Sequence, residues 1–536
     1  MTASDARRIG GLIRVNKQQH SGCAGARSRA PERRPPRWVL WLCAIACLSG
    51  MAHAYGYGFD DVAQRARELA AAPYKKPEGV LPKSLQSLTY DQYRDIRYKP
   101  DRALWRDDKV PFEVAFFHQG FYFNHSVKIN EIVGKRIHPI RFDAGAFDYG
   151  ANAIDRADLQ NLGYAGFRVH YPVNTPKYKD EVLVFLGASY LRALGKGQRY
   201  GASARALAID TGLQSGEEFP RFVEFWLEKP GPKARELVIY GLLDSPRGAG
   251  AYRFVLKPGI DTVIEVKARI FLREHISKLG LAPLTTMFMS GENQRSPGED
   301  YRPEVHDSDG LSIQAGTGEW LWRPLVNPRR LLVTSFSLSN PLGFGLMQRD
   351  RAFRSYEDLE AHYEMRPSVW VEPVGKWGEG RVELVQIPTP DETHDNVVAF
   401  WVPAETPPPK TPLDFEYRLH WEKEHEKHPP LSWVLQTRRG VGYMRKPDNT
   451  IGYTVDFVGP ALKKLSPDSK IESVVTIDGN GAIAESTTYP NAVTGGWRMV
   501  LRVRRIDERK PVEMRAYLRL NKETISETWS YIIPPN

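Results

Sequence analysis

The most informative residues for chemistry in this chain lie in two polar stretches. The first runs from Gly291 to Trp322 and the second from Arg366 to Trp401, and both combine carboxylates with tryptophans. Indole rings pack against the C–H faces of pyranose sugars, while carboxylates and arginines bind sugar hydroxyl groups. Each tryptophan taken alone is more readily explained by core packing, but their clustering predicts a carbohydrate site.

Hydrolysis of a glycosidic bond needs two carboxyl groups in different environments, one acting as acid and the other as base or nucleophile. Each of the two stretches could supply one of these groups. Spacing alone leaves the choice open among six residues: Asp300, Asp307, Asp309, Asp391, Glu392 and Asp395.

The sequence does not indicate a metal or a cofactor. Residues 307–310, Asp-Ser-Asp-Gly, resemble part of a calcium loop, but the full spacing and its terminal glutamate are absent, which favours a turn. His420 and His425 lie among lysines and glutamates without metal-ligand spacing. We therefore predict that the protein uses no metal and no cofactor.

Residues 1–54 have the pattern of an export leader. Nine Lys and Arg against two Asp and Glu precede an apolar run from Trp38 to Leu48, which is too short to span a bilayer. Ala52-His53-Ala54 then offers a small-residue cleavage site, so we predict a mature chain that begins at Tyr55. Arg33-Arg34 leaves both the twin-arginine and the general secretory route open.

Removal of this leader would change the character of the protein. All three cysteines, Cys23, Cys43 and Cys47, lie within it, which excludes a disulfide framework, a cysteine-ligated metal and a cysteine nucleophile from the mature chain. The remaining 482 residues carry 65 Lys and Arg against 62 Asp and Glu, so the net charge falls from +10 to +3. So small an excess predicts no nucleic-acid partner.

Short runs of alternating apolar and polar residues between turn signals predict an all-β protein with few short helices. The predicted strands include residues 112–123, 237–244, 263–270, 498–506 and 511–520. The predicted helices are residues 61–71 after a cap at Asp60, a segment from Ser87 or Thr89 through Tyr98, and residues 355–363.

Five prolines in the ten residues 403–412 predict a stiff linker between two domains. The larger domain, over residues 55–402, would be one elaborate β-domain. The smaller domain, over residues 413–536, has the size and strand spacing of an immunoglobulin-like β-sandwich.

Long strings of the sequence resemble the periplasmic glucan biosynthesis proteins of Gram-negative bacteria, the G and D branches of the osmoregulated periplasmic glucan family. The resemblance covers nearly all of the predicted mature chain, from about Phe59 to the C-terminus. The strings are GYAGFRVHYPVN from Gly163, FLGASYLRALG from Phe185, YGASARALAIDTG from Tyr200, EEFPRFVEFW from Glu217, HDSDGLS from His306, GEWLWRPLVNP from Gly318, NPLGFGLMQRD from Asn340, RPSVWVEP from Arg366, IPTPDETHDNVVAFW from Ile387 and ISETWSY from Ile525.

The resemblance implies a large N-terminal β-sandwich, a short linker and a smaller immunoglobulin-like domain, located in the periplasm. It also implies action on a β-1,2-linked glucan backbone, and some family members look like inverting endo-β-1,2-glucanases. Carried over to this sequence, the general acid is Asp395 and the general base is Asp307. The residues expected near the reaction centre or in the cleft are Tyr363, Glu392, His306, Trp370 and Arg366.

The acid must hold a proton near neutral pH, so Asp395 is expected in an apolar or carboxylate-rich setting, which Val397, Val398, Phe400 and Trp401 could supply. Asp307 is expected in a wetter, glycine-rich loop.

An alternative hypothesis is a non-catalytic glucan-binding and assembly factor that partners a membrane glucan glucosyltransferase. Both hypotheses make β-1,2-glucan, branched or linear, the principal partner, and a homodimer is a further alternative for the assembly. The G branch is slightly favoured over the D branch, and both stay open.

Overall fold

β-Strands form most of the folded chain, and they are joined by turns and a few short helices. A computed structural model describes residues 56–77, 81–160, 162–296, 298–423, 425–441 and 448–535. The prediction of an all-β protein with few short helices is confirmed. The predicted leader lies outside the described residues.

In chain order, the strands that precede Asp307 are β1 Arg97–Tyr98, β2 Glu113–His118, β3 Lys128–Val133, β4 Arg136–Pro139, β5 Phe147–Asp148, β6 Tyr164–Tyr171, β7 Asp180–Leu186, β8 Tyr190–Ala193, β9 Ser203–Arg205, β10 Leu207–Ile209, β11 Arg221–Glu228, β12 Leu237–Ser245, β13 Gly248–Lys257, β14 Thr262–Leu272, β15 Leu279–Thr286, β16 Phe288–Ser290 and β17 Val305–His306.

The strands that follow are β18 Gly310–Gln314, β19 Trp320–Pro324, β20 Leu332–Ser339, β21 Gly343–Met347, β22 Ser368–Val374, β23 Glu379–Gln386, β24 Val397–Pro403, β25 Pro412–Glu422, β26 Trp433–Gly440, β27 Thr450–Val458, β28 Glu472–Ile477, β29 Gly481–Asn491, β30 Gly496–Arg505, β31 Val512–Leu520, β32 Glu523–Thr524 and β33 Thr528–Ile533.

The strands predicted from alternation at β12, β14, β30 and β31 are present with bounds close to those expected. The strand predicted over residues 112–123 is shorter, because β2 ends at His118 and a tight turn follows in which Gly120 pairs with Phe123. That turn forms one wall of a cavity described below.

The α-helices of the described chain are short: α1 Phe59–Ala71, α2 Lys83–Gln86, α3 Tyr90–Arg94 and α4 Pro460–Lys463. The cap predicted at Asp60 is wrong, because α1 follows Gly58, whose N–H donates to the Asp61 carboxylate at 2.8 Å. Thr89 caps α3 as predicted, but the helix ends at Arg94 rather than Tyr98, which belongs to β1.

The helix predicted over residues 355–363 is also wrong. Only two 3₁₀ turns form there, Phe353–Ser355 and Tyr363–Met365. Between them the Asp358 carboxylate accepts hydrogen bonds from the N–H groups of Glu360 and Ala361 at 2.9 and 2.7 Å. Such bonds from side chain to backbone compete with the hydrogen bonds of a helix, so a continuous helix does not form in this segment.

Two large sheets enclose the main core. The first, here the long sheet, has the order β28-β31-β33-β19-β18-β21-β22-β25-β14-β13-β12-β11-β3-β4 with β32 beside β31. The second, here the site sheet, has the order β2-β6-β7-β8-β9-β15-β24-β23-β20 with β10 beside β15. Side chains from both sheets, such as Phe185 of β7 and Phe254 of β13, meet in one apolar cluster.

A four-stranded sheet, in the order β26-β27-β30-β29, supplies a second core with the end of the long sheet. Trp497 and Met499 of β30 belong to the same cluster as Trp529 and Tyr531 of β33. This cluster also takes in Trp322 of β19, so the two cores are joined through the long sheet.

The proline-rich segment connects the two large sheets. It leaves β24 of the site sheet and enters β25, which pairs with β14 on one side and β22 on the other within the long sheet. Described residues from Gly56 onward form one contact unit. The division into two domains stays a prediction.

No helix in the described ranges is long and apolar enough to cross a membrane.

Candidate active site

Asp307 is positioned by the small sheet that β16 and β17 form. It follows β17 directly, and its backbone N–H donates to the Met287 carbonyl at 2.9 Å, next to β16. Phe288 of β16 pairs with His306 of β17. The backbone before and at Asp307 is therefore fixed by hydrogen bonds to the 287–288 segment.

Asp395 is positioned by its neighbour Asn396, which binds the same segment. The buried Asn396 amide accepts a hydrogen bond from the Phe288 N–H at 2.8 Å and donates to the Phe288 carbonyl at 3.0 Å. It also donates to the Ile387 carbonyl at 3.0 Å. Because one short segment anchors both aspartates, residues 88 positions apart in the sequence come to one place.

The charge of Asp395 also influences the pKa of Asp307. Burial raises the pKa of Asp307, the positive charge of Arg366 opposes this rise, and the negative charge of Asp395 adds to it.

Asp307 lies beneath the Arg366 guanidinium. Its side chain is 6% exposed, and Arg366 Nη1 donates to Asp307 Oδ1. The Arg366 side chain in turn packs on the bare backbone of Gly201, where an added Cβ would lie 2.9 Å from the Arg366 Cβ. Glycine at position 201 thus leaves the space that the arginine occupies.

Asp395 is more open than Asp307 and has its own arginine. Its side chain is 27% exposed, and Arg192 Nη2 of β8 donates to Asp395 Oδ2 at 3.2 Å. The same guanidinium donates through Nε to Ser203 Oγ of β9 at 2.6 Å, which fixes its direction.

The settings expected for the two aspartates are therefore reversed. Asp307 is the buried carboxyl, whereas Asp395 is half-buried beside a cation. The apolar residues after Asp395, such as Val397 and Phe400, belong to β24 and are themselves fully buried. They face the core and cannot surround a carboxyl that precedes the strand.

Tyr363 and Glu392 extend the site away from Asp307. The Tyr363 hydroxyl donates to Glu392 Oε2 at 3.2 Å, and Arg302 Nη1 lies 2.7 Å from the same oxygen. The Arg366 guanidinium lies over the Tyr363 ring at 4.2 Å. Burial raises the pKa of Tyr363 far above its usual value, so its hydroxyl stays a donor at neutral pH.

His306 supports the site from below. Its ring is fully buried, with Nε2 at 2.9 Å from Glu304 Oε2 and Nδ1 at 2.9 Å from Gln348 Oε1. Burial lowers the pKa of His306, but the hydrogen bond and charge of Glu304 raise it more, so the net shift is upward. Gln348 also donates to the Tyr363 carbonyl at 3.2 Å, so His306 acts by holding its neighbours.

Trp370 likewise lies away from solvent. It is 2% exposed, belongs to the second core and stacks on Trp320 with ring centroids 5.5 Å apart. The structure places both the Trp370 and the His306 rings in the interior, and their role in the cleft stays a prediction.

One further group of carboxylates lies beside His306. Oxygens of Glu292, Glu304 and Asp350 lie within 4.8 Å of one another, which is compatible with metal binding. Burial raises the pKa of Glu292 to about 9, and the charge of Glu304 adds to the rise. A proton on Glu292 can therefore balance the group at neutral pH, and the absence of a metal stays a prediction.

Three residues of the site were missed in the sequence. Arg192 is 203 positions from Asp395, and no local pattern links them. Arg302 lies in the first polar stretch, where its acidic neighbours could have drawn attention to it. Asn396 is adjacent to Asp395, and a buried asparagine beside a catalytic candidate is a signal that could have been used.

The fold and the site define an all-β protein in which two aspartates, each paired with an arginine, converge beside a buried tyrosine. The chain belongs to the family described as periplasmic glucan biosynthesis protein, MdoG, which matches residues 57–533.

Three relatives of this chain each bear the name glucans biosynthesis protein G. The one from Ralstonia nicotianae is 60% identical over 505 residues, which is 93% of this chain and all of the relative. Those from Pseudomonas paraeruginosa and Dickeya dadantii are 52% and 49% identical over 507 residues, which is 93% of this chain and 97% of each relative.

Proposed function

We propose that this protein is a periplasmic, inverting endo-β-1,2-glucanase that shapes osmoregulated periplasmic glucans. The observation that carries the proposal is the convergence of Asp307 and Asp395 on the 287–288 segment, with an arginine on each carboxyl. Inverting hydrolysis requires two carboxyl groups that act on opposite sides of the scissile bond. The names of the relatives support a glucan as the ligand and favour the G branch.

In this proposal Asp395 is the general acid and Asp307 the general base. Because Arg192 pairs with Asp395, we expect glucan to displace the guanidinium from the acid when it binds. Arg192 is 44% exposed, which allows that movement. Arg366 opposes the rise in the pKa of Asp307 that burial causes, which favours the carboxylate form that a base needs.

The test of hydrolysis is release of reducing ends from linear β-1,2-glucan by the purified protein over a range of pH. We expect turnover in the wild type and a loss of at least about 100-fold in both Asp307→Asn and Asp395→Asn, since acid–base groups contribute about 10²–10⁴-fold. Asp414→Asn, in an exposed pair with Arg269, is the matched control and should keep full activity. Full turnover in either Asp307→Asn or Asp395→Asn would contradict the proposal.

A second experiment separates the two roles. A glycosyl substrate with a good leaving group needs little protonation by the acid, so Asp395→Asn should lose much less activity on it than on glucan. Asp307→Asn should lose activity on both substrates because the water must still be activated. The reverse pattern would exchange the two roles.

The alternative function, an assembly factor that binds glucan and partners a membrane glucosyltransferase, is favoured by the word biosynthesis in the family description. It predicts glucan binding without turnover and capture of the transferase by the segment after Pro412. Glucan turnover that requires both aspartates would establish hydrolysis, although the two functions are compatible.

A further inference from the structure

An aromatic cavity lies beside β6, β7 and β8 of the site sheet and β11 of the long sheet, outside the carboxylate pair. It has a volume of about 260 Å³. Its rim includes Tyr122, which is 81% exposed, and Phe219, which is 52% exposed. Large rings this exposed commonly mark a binding surface when they cluster around a concavity.

The loop that carries Tyr122 is held in place. Gly120 and Phe123 pair through two backbone hydrogen bonds, and the Gln119 amide donates to the Asn124 carbonyl at 3.1 Å. The Gln119 oxygen also accepts from the Gly163 N–H at 2.9 Å. Tyr122 therefore projects from a fixed turn, so little conformational entropy is lost when a ligand covers its ring.

The opposite wall is equally fixed and leads to the carboxylates. The buried Arg205 guanidinium lies 5.3 Å from the Tyr190 ring and 5.1 Å from the Phe219 ring, and it pairs with Glu217 at 2.5 Å. Tyr190 and Arg192 are two residues apart on β8, which places them on one face about 7 Å apart. Arg192 binds Asp395, and the charge of Asp395 acts on Tyr190.

Polar groups on the same rim suit hydroxyls. Asn124, His125 and Arg221 line the cavity, and none of the described residues that line it is a carboxylate. Burial lowers the pKa of His125, and the charges of Arg221 and Lys76 lower it further. The imidazole is therefore neutral at pH 7 and offers one donor and one acceptor.

We propose that this cavity is a distal sugar-binding subsite, which holds one glucose unit of a β-glucan chain whose cleavage point lies at Asp395. The proposal rests on the proposed function, since it names a further part of the same binding path. The cavity is smaller than the about 300–1,000 Å³ of sites for drug-sized ligands, which fits a single ring. Tyr122 and Phe219 are specificity-determining residues for chain length.

The test measures dissociation constants by calorimetry in the Asp395→Asn background, where the sugar is not cut. Two β-1,2-linked glucose oligomers are compared, a disaccharide and one of about ten units. Tyr122→Ala should weaken binding of the long oligomer about tenfold and leave the disaccharide unchanged. Phe219→Ala should act in the same direction, whereas Tyr122→Trp should retain affinity because it keeps an aromatic face.

The matched control is Tyr178→Ala, which removes a ring that is 59% exposed and does not line the cavity. Equal affinity of Tyr122→Ala, Phe219→Ala and Tyr178→Ala for the long oligomer overturns the subsite while leaving the proposed function intact. An equal loss for both oligomers also overturns it, because a distal subsite cannot contact the disaccharide at the carboxylates. Failure of the parent protein to bind either sugar overturns the proposed function as well.

Discussion

At the scale of single residues, the two central aspartates differ through their surroundings rather than their chemistry. Asp307 is enclosed and has a raised pKa, because burial outweighs the charge of Arg366. Asp395 is partly exposed and held by Arg192. Two identical side chains can serve as acid and base only when the protein makes their environments unequal.

Arg366→Met should make this difference larger. Loss of the guanidinium removes the charge that lowers the pKa of Asp307, so that pKa should rise further. If Asp307 is the base, the acidic limb of kcat/KM against pH moves to higher pH, because a base with a raised pKa loses its proton only at a higher pH. Arg366→Lys keeps a positive charge and should shift the limb less. An acidic limb at the wild-type position in Arg366→Met would rule out Asp307 as the group that controls it.

At the scale of elements, the short strand β16 positions both segments that carry the central aspartates. Its Phe288 pairs with β17 through His306, and its backbone binds the Asn396 amide before β24. The two chain segments that carry Asp307 and Asp395 are thereby tied to one another without sharing a strand pair.

Asn396→Ala should reduce glucan turnover in a protein that still folds. It leaves buried backbone groups of Phe288 and Ile387 without their partner, at a cost of about 1–3 kcal/mol each. We expect glucan turnover by the folded protein to fall about 100-fold, since small misplacements of a catalytic group have effects of that size.

Asn130→Ala is the matched control for this change. Asn130 is also buried and donates to Glu224 and to the Phe225 carbonyl, but it lies on β3, remote in sequence from the aspartates. Denaturant unfolding should show a similar loss of stability with normal turnover. Equal turnover in both variants would show that the Asn396 contacts are dispensable for catalysis.

At the scale of the whole molecule, a buried ion pair joins the site-bearing region to the C-terminal strands. Arg349, which follows β21, pairs with Glu527 at 2.6 Å, and the side chains are 3% and 0% exposed. Glu527 also accepts from the Val434 N–H of β26 at 2.7 Å, and Arg349 lies over Trp322 at 3.6 Å. These contacts fix the segment after β21 against β26 and the start of β33, beside the second core.

Arg349→Met should therefore destabilise the protein by about 3–5 kcal/mol, because it leaves the Glu527 carboxylate buried without a cation. Arg519→Met, which breaks an exposed pair with Glu472, should cost about 0–1 kcal/mol. Denaturant unfolding monitored by tryptophan fluorescence measures both changes. Equal stability of the two variants would contradict a structural role for the Arg349 pair.

Much of the fold could be predicted from the sequence, because alternation of apolar and polar residues is a local property of a strand. The strands β12, β14, β30 and β31 were predicted in this way. The helix predicted over residues 355–363 does not form, because the Asp358 carboxylate accepts hydrogen bonds from backbone N–H groups in that segment. The residue pattern alone does not reveal this competition.

The sequence by itself also determined the residue types available for chemistry: carboxylates, arginines and aromatic rings in two polar stretches, and no cysteine after residue 54. Only the tertiary structure decided which of these groups meet. Arg192 reaches Asp395 across 203 positions, and Trp370 is turned into a core. Pairing between strands that are distant in the sequence determines these contacts, and it also determines the burial that shifts a pKa. A local run of residues predicts neither the contacts nor the burial.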